Sequence, residues 1–152
     1  RSHPEGGHYL ETYRSKEKIE KAALPNRFSS ERYFATAIYF LLEGKQFSAF
    51  HRIQSDELWH FYAGAGLHIY VLHPDGRGEL LKLGDDLENG YSFQHMVPAG
   101  CWFASKPVSE DGFAFVGCTV APGFDFADFE LAEKDVLIKE YPTHGEWIKM
   151  LS

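Results

Sequence analysis

Short apolar runs rich in aromatic residues recur along the chain, spaced by Gly and Pro, and they predict many strands joined by turns rather than helices. The runs are Gly7 to Arg14, Tyr33 to Leu42, Phe47 to Ile53, Leu58 to Tyr62, Leu67 to Leu72, Glu79 to Leu83, Tyr91 to Val97, Cys101 to Lys106 and Phe113 to Val120. Between them lie "LEGK" (42 to 45), "AGAG" (63 to 66), "PDGRG" (74 to 78), "ENG" (88 to 90) and "EDG" (110 to 112). Each supplies a residue that tolerates positive φ, as a tight turn requires. Short strands at this spacing predict an all-β sandwich or barrel.

Two other patterns break the rhythm. "EKDVLIKEY" (133 to 141) is stopped by Pro142, and "THGEWIKML" (143 to 151) opens with a capping box at Thr143 and Glu146, so two short C-terminal helices are expected against the sheet. The run "YFATAIYFLL" (33 to 42) does not alternate, so both of its faces need cover. A partner subunit would supply that cover, which predicts a homodimer; the alternative is that the C-terminal helices do so. Lys16 to Arg32 is expected to be a mobile loop.

Composition narrows the function classes. At 152 residues the chain suits a single domain spanning 1–152. A formal net charge of -7 disfavours a sequence-independent grip on nucleic acid, which needs a basic face. No stretch approaches the roughly twenty apolar residues of a membrane span, and no secretory pattern opens the chain, which reads as soluble and cytoplasmic. The chain begins at Arg1 rather than Met, so part of the N-terminus is expected to be missing. Cys101 and Cys118 read as free, buried thiols, and neither Asn26 nor Asn89 opens a glycosylation sequon.

Candidate chemistry concentrates in "HRIQSDELWH" (51 to 60). Strand alternation turns His51, Ile53, Glu57, Trp59 and Phe61 inward, leaving one imidazole and one carboxylate in an apolar cup. Such a pair suits proton abstraction beside a carbonyl, with His51 as base and Glu57 as its orienter. The returning acid would be a tyrosine among Tyr62, Tyr70 and Tyr91, with Tyr70 chosen on parity. Trp59 and Trp102 offer planes on which a base or sugar could stack. Arg52 is expected to pair with Asp56 or another carboxylate. "GFDFADFEL" (123 to 131) reads as an edge segment that docks its Phe residues and leaves its acids solvated.

The spacing G44-x6-H51-x-I53-x3-E57-x6-G64 resembles the first motif of the cupin superfamily, and P98-A-G100-C-W-F103 the second. Ile53 and Phe103 stand where two of the four usual metal ligands would be. A metal site wants three or four donors converging at about 2 Å. His60, His68 and His95 are the spare imidazoles, with His60 expected on the opposite face; no metal and no other cofactor is expected.

Over nearly its whole length the chain is similar to the DUF985 branch of the cupins, through "HPEGGHYLETYRS" (3 to 15), "TAIYFLL" (36 to 42), "FSAFHRIQSDELWHFYAG" (47 to 64), "VPAGCW" (97 to 102) and "GCTVAPGFDFADFEL" (117 to 131). That resemblance implies a jelly-roll barrel, commonly dimeric, similar in fold to the dTDP-4-dehydrorhamnose 3,5-epimerases, which act on nucleotide sugars without metal. "GGHYLETYR" looks like the "RGFFxExY" strand of those enzymes, which implies ligand contacts for Glu11 and Arg14. The expectation is a metal-independent cupin that binds a nucleotide or nucleotide sugar and epimerises or isomerises it. The alternatives are a non-enzymatic ligand-binding or sensing protein and a metal-dependent cupin enzyme.

Overall fold

The computed structural model describes residues 1–152. In chain order the strands are β1 (His8–Arg14), β2 (Lys18–Ile19), β3 (Arg32–Tyr33), β4 (Thr36–Glu43), β5 (Ser48–Arg52), β6 (Asp56–Gly64), β7 (Leu67–Leu72), β8 (Gly78–Leu83), β9 (Gln94–Val97), β10 (Trp102–Pro107), β11 (Phe113–Ala121) and β12 (Glu130–Leu131). The helices α1 (Lys134–Glu140) and α2 (Gly145–Met150) close the chain. All nine expected strands are present. The largest differences are at β4 and β9, which start at Thr36 and Gln94. Tyr33 pairs instead with Lys18 in the small β2–β3 ribbon, and Ser92 makes an isolated bridge to Leu83.

Two antiparallel five-stranded sheets face each other, in the orders β1-β4-β11-β6-β9 and β12-β5-β10-β7-β8. This is the jelly-roll arrangement expected for a cupin, although ladder hydrogen bonds do not run continuously around it. Between the sheets lies a core built from Phe40, Leu42, Ile69, Val71, Phe103, Val116 and their neighbours. Burying each such large apolar side chain contributes about 1.5–3 kcal/mol.

The C-terminal helices settle one of the two alternatives for β4. Leu137, Tyr141, Ile148 and Leu151 pack on Phe50, Leu72, Trp102 and Ala104, the outer face of the second sheet. The outer face of the first sheet therefore stays uncovered, with Tyr39 against Tyr62 and Phe115 at centroid distances of 5.8 and 5.1 Å. The capping box does not form. Pro142–His144 makes a 3-10 turn that takes in Thr143, and α2 begins without a side-chain cap.

Residues 16–32 are more than a surface loop. Leu24 and Phe28 are buried, and Arg32 makes a two-pronged ion pair with Asp128 at 2.6 and 2.8 Å. Asp128 is thereby an exception to the solvated acids expected of residues 123–131. Its neighbours follow the expected edge pattern: β12 pairs with β5 at the sheet edge, and Arg52 pairs with Glu130 at 2.7 Å.

Candidate functional site

A cavity of about 270 Å³ penetrates the space between the sheets. Its polar lining includes His3, Glu5, His51, Glu57 and the Cys118 thiol, with Glu11, Arg14, Thr36 and Asp125 beside them, and its aromatic walls are Tyr9, Phe40, Phe124, Phe126 and Phe129. The chain builds it from three directions. β5 and β6 aim His51 and Glu57 inward by strand alternation. The loop after β11 folds its three Phe residues over the opening, and the N-terminal segment supplies His3 and Glu5.

Glu5 reaches the cavity because the chain turns sharply behind it. Gly6 has φ +116°, and a Cβ there would collide with the Phe47 carbonyl, so only glycine permits this approach to β5. The Ala49 N–H donates to the Glu5 carbonyl at 2.7 Å and locks the segment in place. Replacing Gly6 with Ala is expected to displace Glu5 from His51; an unchanged His51 ring nitrogen spectrum by NMR would contradict this role.

Both ring nitrogens of His51 are committed. Nδ1 donates to the Ala49 carbonyl at 2.7 Å, and Nε2 meets Glu5 Oε2 at 2.8 Å. The orienting carboxylate is thus Glu5, not Glu57, and no lone pair of His51 faces the cavity. Phe103, standing where a cupin would carry a metal-binding His, packs against the His51 ring at 4.1 Å.

The charges of this cluster follow from burial and pairing. Burial pushes the Glu5 carboxyl up, but the charge and hydrogen bond of His51 outweigh it, and Glu5 titrates below its ordinary value. Burial alone would lower His51, yet Glu5 outweighs it and the imidazole is held above its ordinary value. Together they form a buried imidazolium–carboxylate pair. Glu57 has no such partner. Burial, followed by the charge of Glu5, pushes its carboxyl up to about 7 against the opposing pull of His51. Burial and the two carboxylates hold Cys118 well above the usual thiol range, so it is a neutral wall.

At the rim, Arg14 pairs with Glu11 at 2.6 Å and donates from Nη1 to the Phe124 carbonyl at 3.4 Å. These two expected ligand residues do line the cavity, as do His51 and Glu57. The other three expected residues lie elsewhere. Tyr70 is a correction: on β7 the odd positions Leu67, Ile69 and Val71 enter the core, so Tyr70 points outward and packs on Trp147 at 5.1 Å. Trp102 shares that outer face, beneath the Arg52 guanidinium at 4.3 Å. Trp59 points inward but is sealed edge-on between Phe40 and Phe103, behind the cavity wall. Of the spare imidazoles, His60 is on the outer face as expected, bonded to Thr119.

His3, Glu5, Tyr9 and the three loop Phe residues are the parts the sequence reading missed. The one local signal was "PEGG" (4 to 7), a forced turn directly after an acid. A cupin metal does not fit these residues: Ile53 and Phe103 offer no donor, His51 has no free nitrogen, and nowhere do three or more His, Cys, Asp or Glu side chains converge as a metal cage. No helix is long and apolar enough to cross a membrane.

Comparison with known proteins agrees with this architecture. The sequence pattern of the family described as Cupin superfamily (DUF985) matches residues 1–132. Protein SO0799 from Shewanella oneidensis is similar at 41% identity and TM-score 0.90, over 100% of this chain and 90% of that one. A hypothetical protein from Leishmania major gives 33% identity and TM-score 0.86, over 100% and 92%. Protein YML079W of Saccharomyces cerevisiae is 33% identical over 135 residues, 83% of this chain and 67% of the yeast protein. Oxalate decarboxylase from Bacillus subtilis, at 14% identity and TM-score 0.56, over 91% of this chain and 39% of that one, shares the fold alone.

Proposed function

The chain belongs to the DUF985 family of the cupin superfamily, and from that premise and the cavity just described we propose that it is a metal-independent cupin whose Glu57 transfers a proton on a small carbonyl-bearing metabolite. The single observation that carries this reading is Glu57, a buried carboxyl poised near neutral pH at the wall of an aromatic cavity. A group whose pKa lies near the working pH is the most effective proton shuttle. The His51–Glu5 pair is its fixed electrostatic partner rather than the base itself.

Cavity size guides the choice of ligand. Enclosed drug-sized ligands occupy roughly 300–1,000 Å³, so about 270 Å³ suits one sugar ring rather than a whole nucleotide sugar. We read the ligand as a nucleotide sugar with its sugar inside and its diphosphate outside, met by Arg14 at the rim. The carbonyl belongs to the sugar. A thermal-shift screen against nucleotide sugars, free nucleotides and divalent metals tests this. A selective rise with sugar-bearing nucleotides is expected; a response to divalent metal alone would overturn it. One observation favours a second reading, a binding or sensing protein: neither nitrogen of His51 is free to act as base. Tight binding without any product is its signature.

We further propose that the uncovered face of the first sheet joins two copies of the chain. Pairing puts Leu10, Tyr39, Tyr62, Phe113 and Met96 on one face, with exposures of 62, 42, 51, 43 and 47%. Large apolar side chains exposed together on one sheet face mark a surface that associates with a partner. The protein is expected to sediment as a dimer and its Tyr39→Arg variant as a monomer. A monomeric wild type at high micromolar concentration would contradict this.

A further inference from the structure

His3 is the one imidazole in the cavity with a nitrogen to spare. The Glu5 backbone N–H donates to its Nδ1 at 3.4 Å, which makes Nδ1 an acceptor and leaves the proton on Nε2. The Glu5 carboxylate lies equally far from Nδ1, at 3.4 Å, and makes no hydrogen bond to it. Nε2–H finds no acceptor in the protein, although the ring is only 8% exposed and lines the cavity. Around it stand Tyr9, Phe40, Phe124, Phe126 and Phe129, at centroid distances of 5.0–6.5 Å. Burial, reinforced by the charge of His51, outweighs the pull of Glu5 and keeps this imidazole neutral. A neutral N–H donor in apolar surroundings, with nothing in the protein to bond, is a site for an uncharged acceptor.

We propose that His3 receives the carbonyl oxygen of the ligand: its Nε2–H donates to that oxygen while Glu57 takes the proton from the adjacent carbon. This rests on the proton-transfer reading above and adds to it the substrate class, a neutral ketone or aldehyde with an α C–H. As the C–H bond breaks, its electron pair forms the C=C bond, the carbonyl π pair moves onto oxygen, and the proton goes to a Glu57 carboxylate oxygen. The enolate oxygen then gains charge against His3 Nε2–H. Return of a solvent-exchanged proton from Glu57 to the same face of that carbon regenerates the carbonyl, an α-hydrogen exchange with no oxidant, reductant or metal consumed. A neutral imidazole suits this role because it polarises the carbonyl without giving up its own proton.

Two measurements test the assignment, with cyclohexanone labelled at its carbonyl ¹³C as the probe. In ¹⁵N-histidine NMR of the free protein at neutral pH, His3 is expected protonated at Nε2 only; an imidazolium, or a proton on Nδ1, overturns the proposal. In D₂O the wild type is expected to shift the probe's carbonyl resonance downfield and to speed exchange of its α protons. His3→Phe, which keeps the ring and loses the donor, is expected to abolish the shift and slow exchange about a hundredfold. His3→Gln, which restores an N–H at a similar reach, is expected to recover most of both. Wild-type exchange in His3→Phe combined with loss in Glu57→Gln would remove His3 and leave the role of Glu57 standing. Absence of exchange in the wild type would remove both.

Discussion

Replacing Glu57 with Gln is expected to make the protein more stable at pH 8 by roughly 3 kcal/mol relative to its parent, while ending proton transfer. The carboxyl titrates near 4.5 in the unfolded chain and near 7 in the folded one. Between those values the folded state binds the extra proton, so stability falls as pH rises through that window and the full cost is present above about 7. A gap of that size corresponds to about 3 kcal/mol at 1.36 kcal/mol per unit. Glutamine keeps the shape of the protonated acid and carries no such cost. Glu5 works in the opposite direction, since its depressed value gives stability that is lost only as pH falls below the ordinary carboxylate range. His51 contributes stability that is lost as pH rises through its elevated value. Urea unfolding of both proteins from pH 5 to 8 isolates the Glu57 part as the difference between two curves. Parallel curves would show that the carboxyl does not titrate near neutral pH, and the proposed chemistry would lose its basis.

Asp128→Ala is expected to cost about 3–5 kcal/mol, because it strands a guanidinium inside the protein. The Arg32 and Asp128 side chains are 1 and 5% exposed, and Asp128 is the only carboxylate bonded to Arg32. The remaining partners of Arg32 are the Ser29 and Ser30 hydroxyls and the carbonyls of Ser30 and Glu31, which solvate the charge without neutralising it. The consequence extends to the cavity, since Asp128 sits in the short turn between Phe126 and Phe129. Removing both partners together, as Arg32→Met with Asp128→Leu, is expected to recover much of the loss. Guanidinium unfolding of Arg32→Met, Asp128→Leu and the double variant measures the coupling; additive losses would mean that the pair does not act as a unit.

How far the site could be read from sequence depended on whether a residue sits in a regular strand. His51 and Glu57 were found because alternation along β5 and β6 decides which way a side chain points. The same rule, applied to Tyr70 without knowing which parity of β7 faces the core, picked the outward set. Trp59 was placed on the correct face, yet parity cannot distinguish a cavity wall from the packed layer behind it. His3 and Glu5 lie outside any strand, where no periodicity applies. Their position comes from a glycine turn and one long-range hydrogen bond to Ala49, both tertiary facts. The exchange of roles follows from this: Glu57 looked like the partner of His51 only because the actual partner, Glu5, was distant in the chain. The strands themselves were legible because turn residues and aromatic runs mark them locally. Which sheet the C-terminal helices would cover was not, since that depends on packing between segments far apart in sequence.

The most direct test of proton transfer at Glu57 is the mass of a ligand recovered after incubation in D₂O. Compounds that raise the melting temperature would be incubated with wild-type protein and with Glu57→Gln, then recovered and weighed by mass spectrometry. The expected result is deuterium gained at carbon beside the carbonyl with the wild type and none with Glu57→Gln. A ligand that binds both proteins and returns from each without deuterium would contradict the account and leave a binding protein in its place.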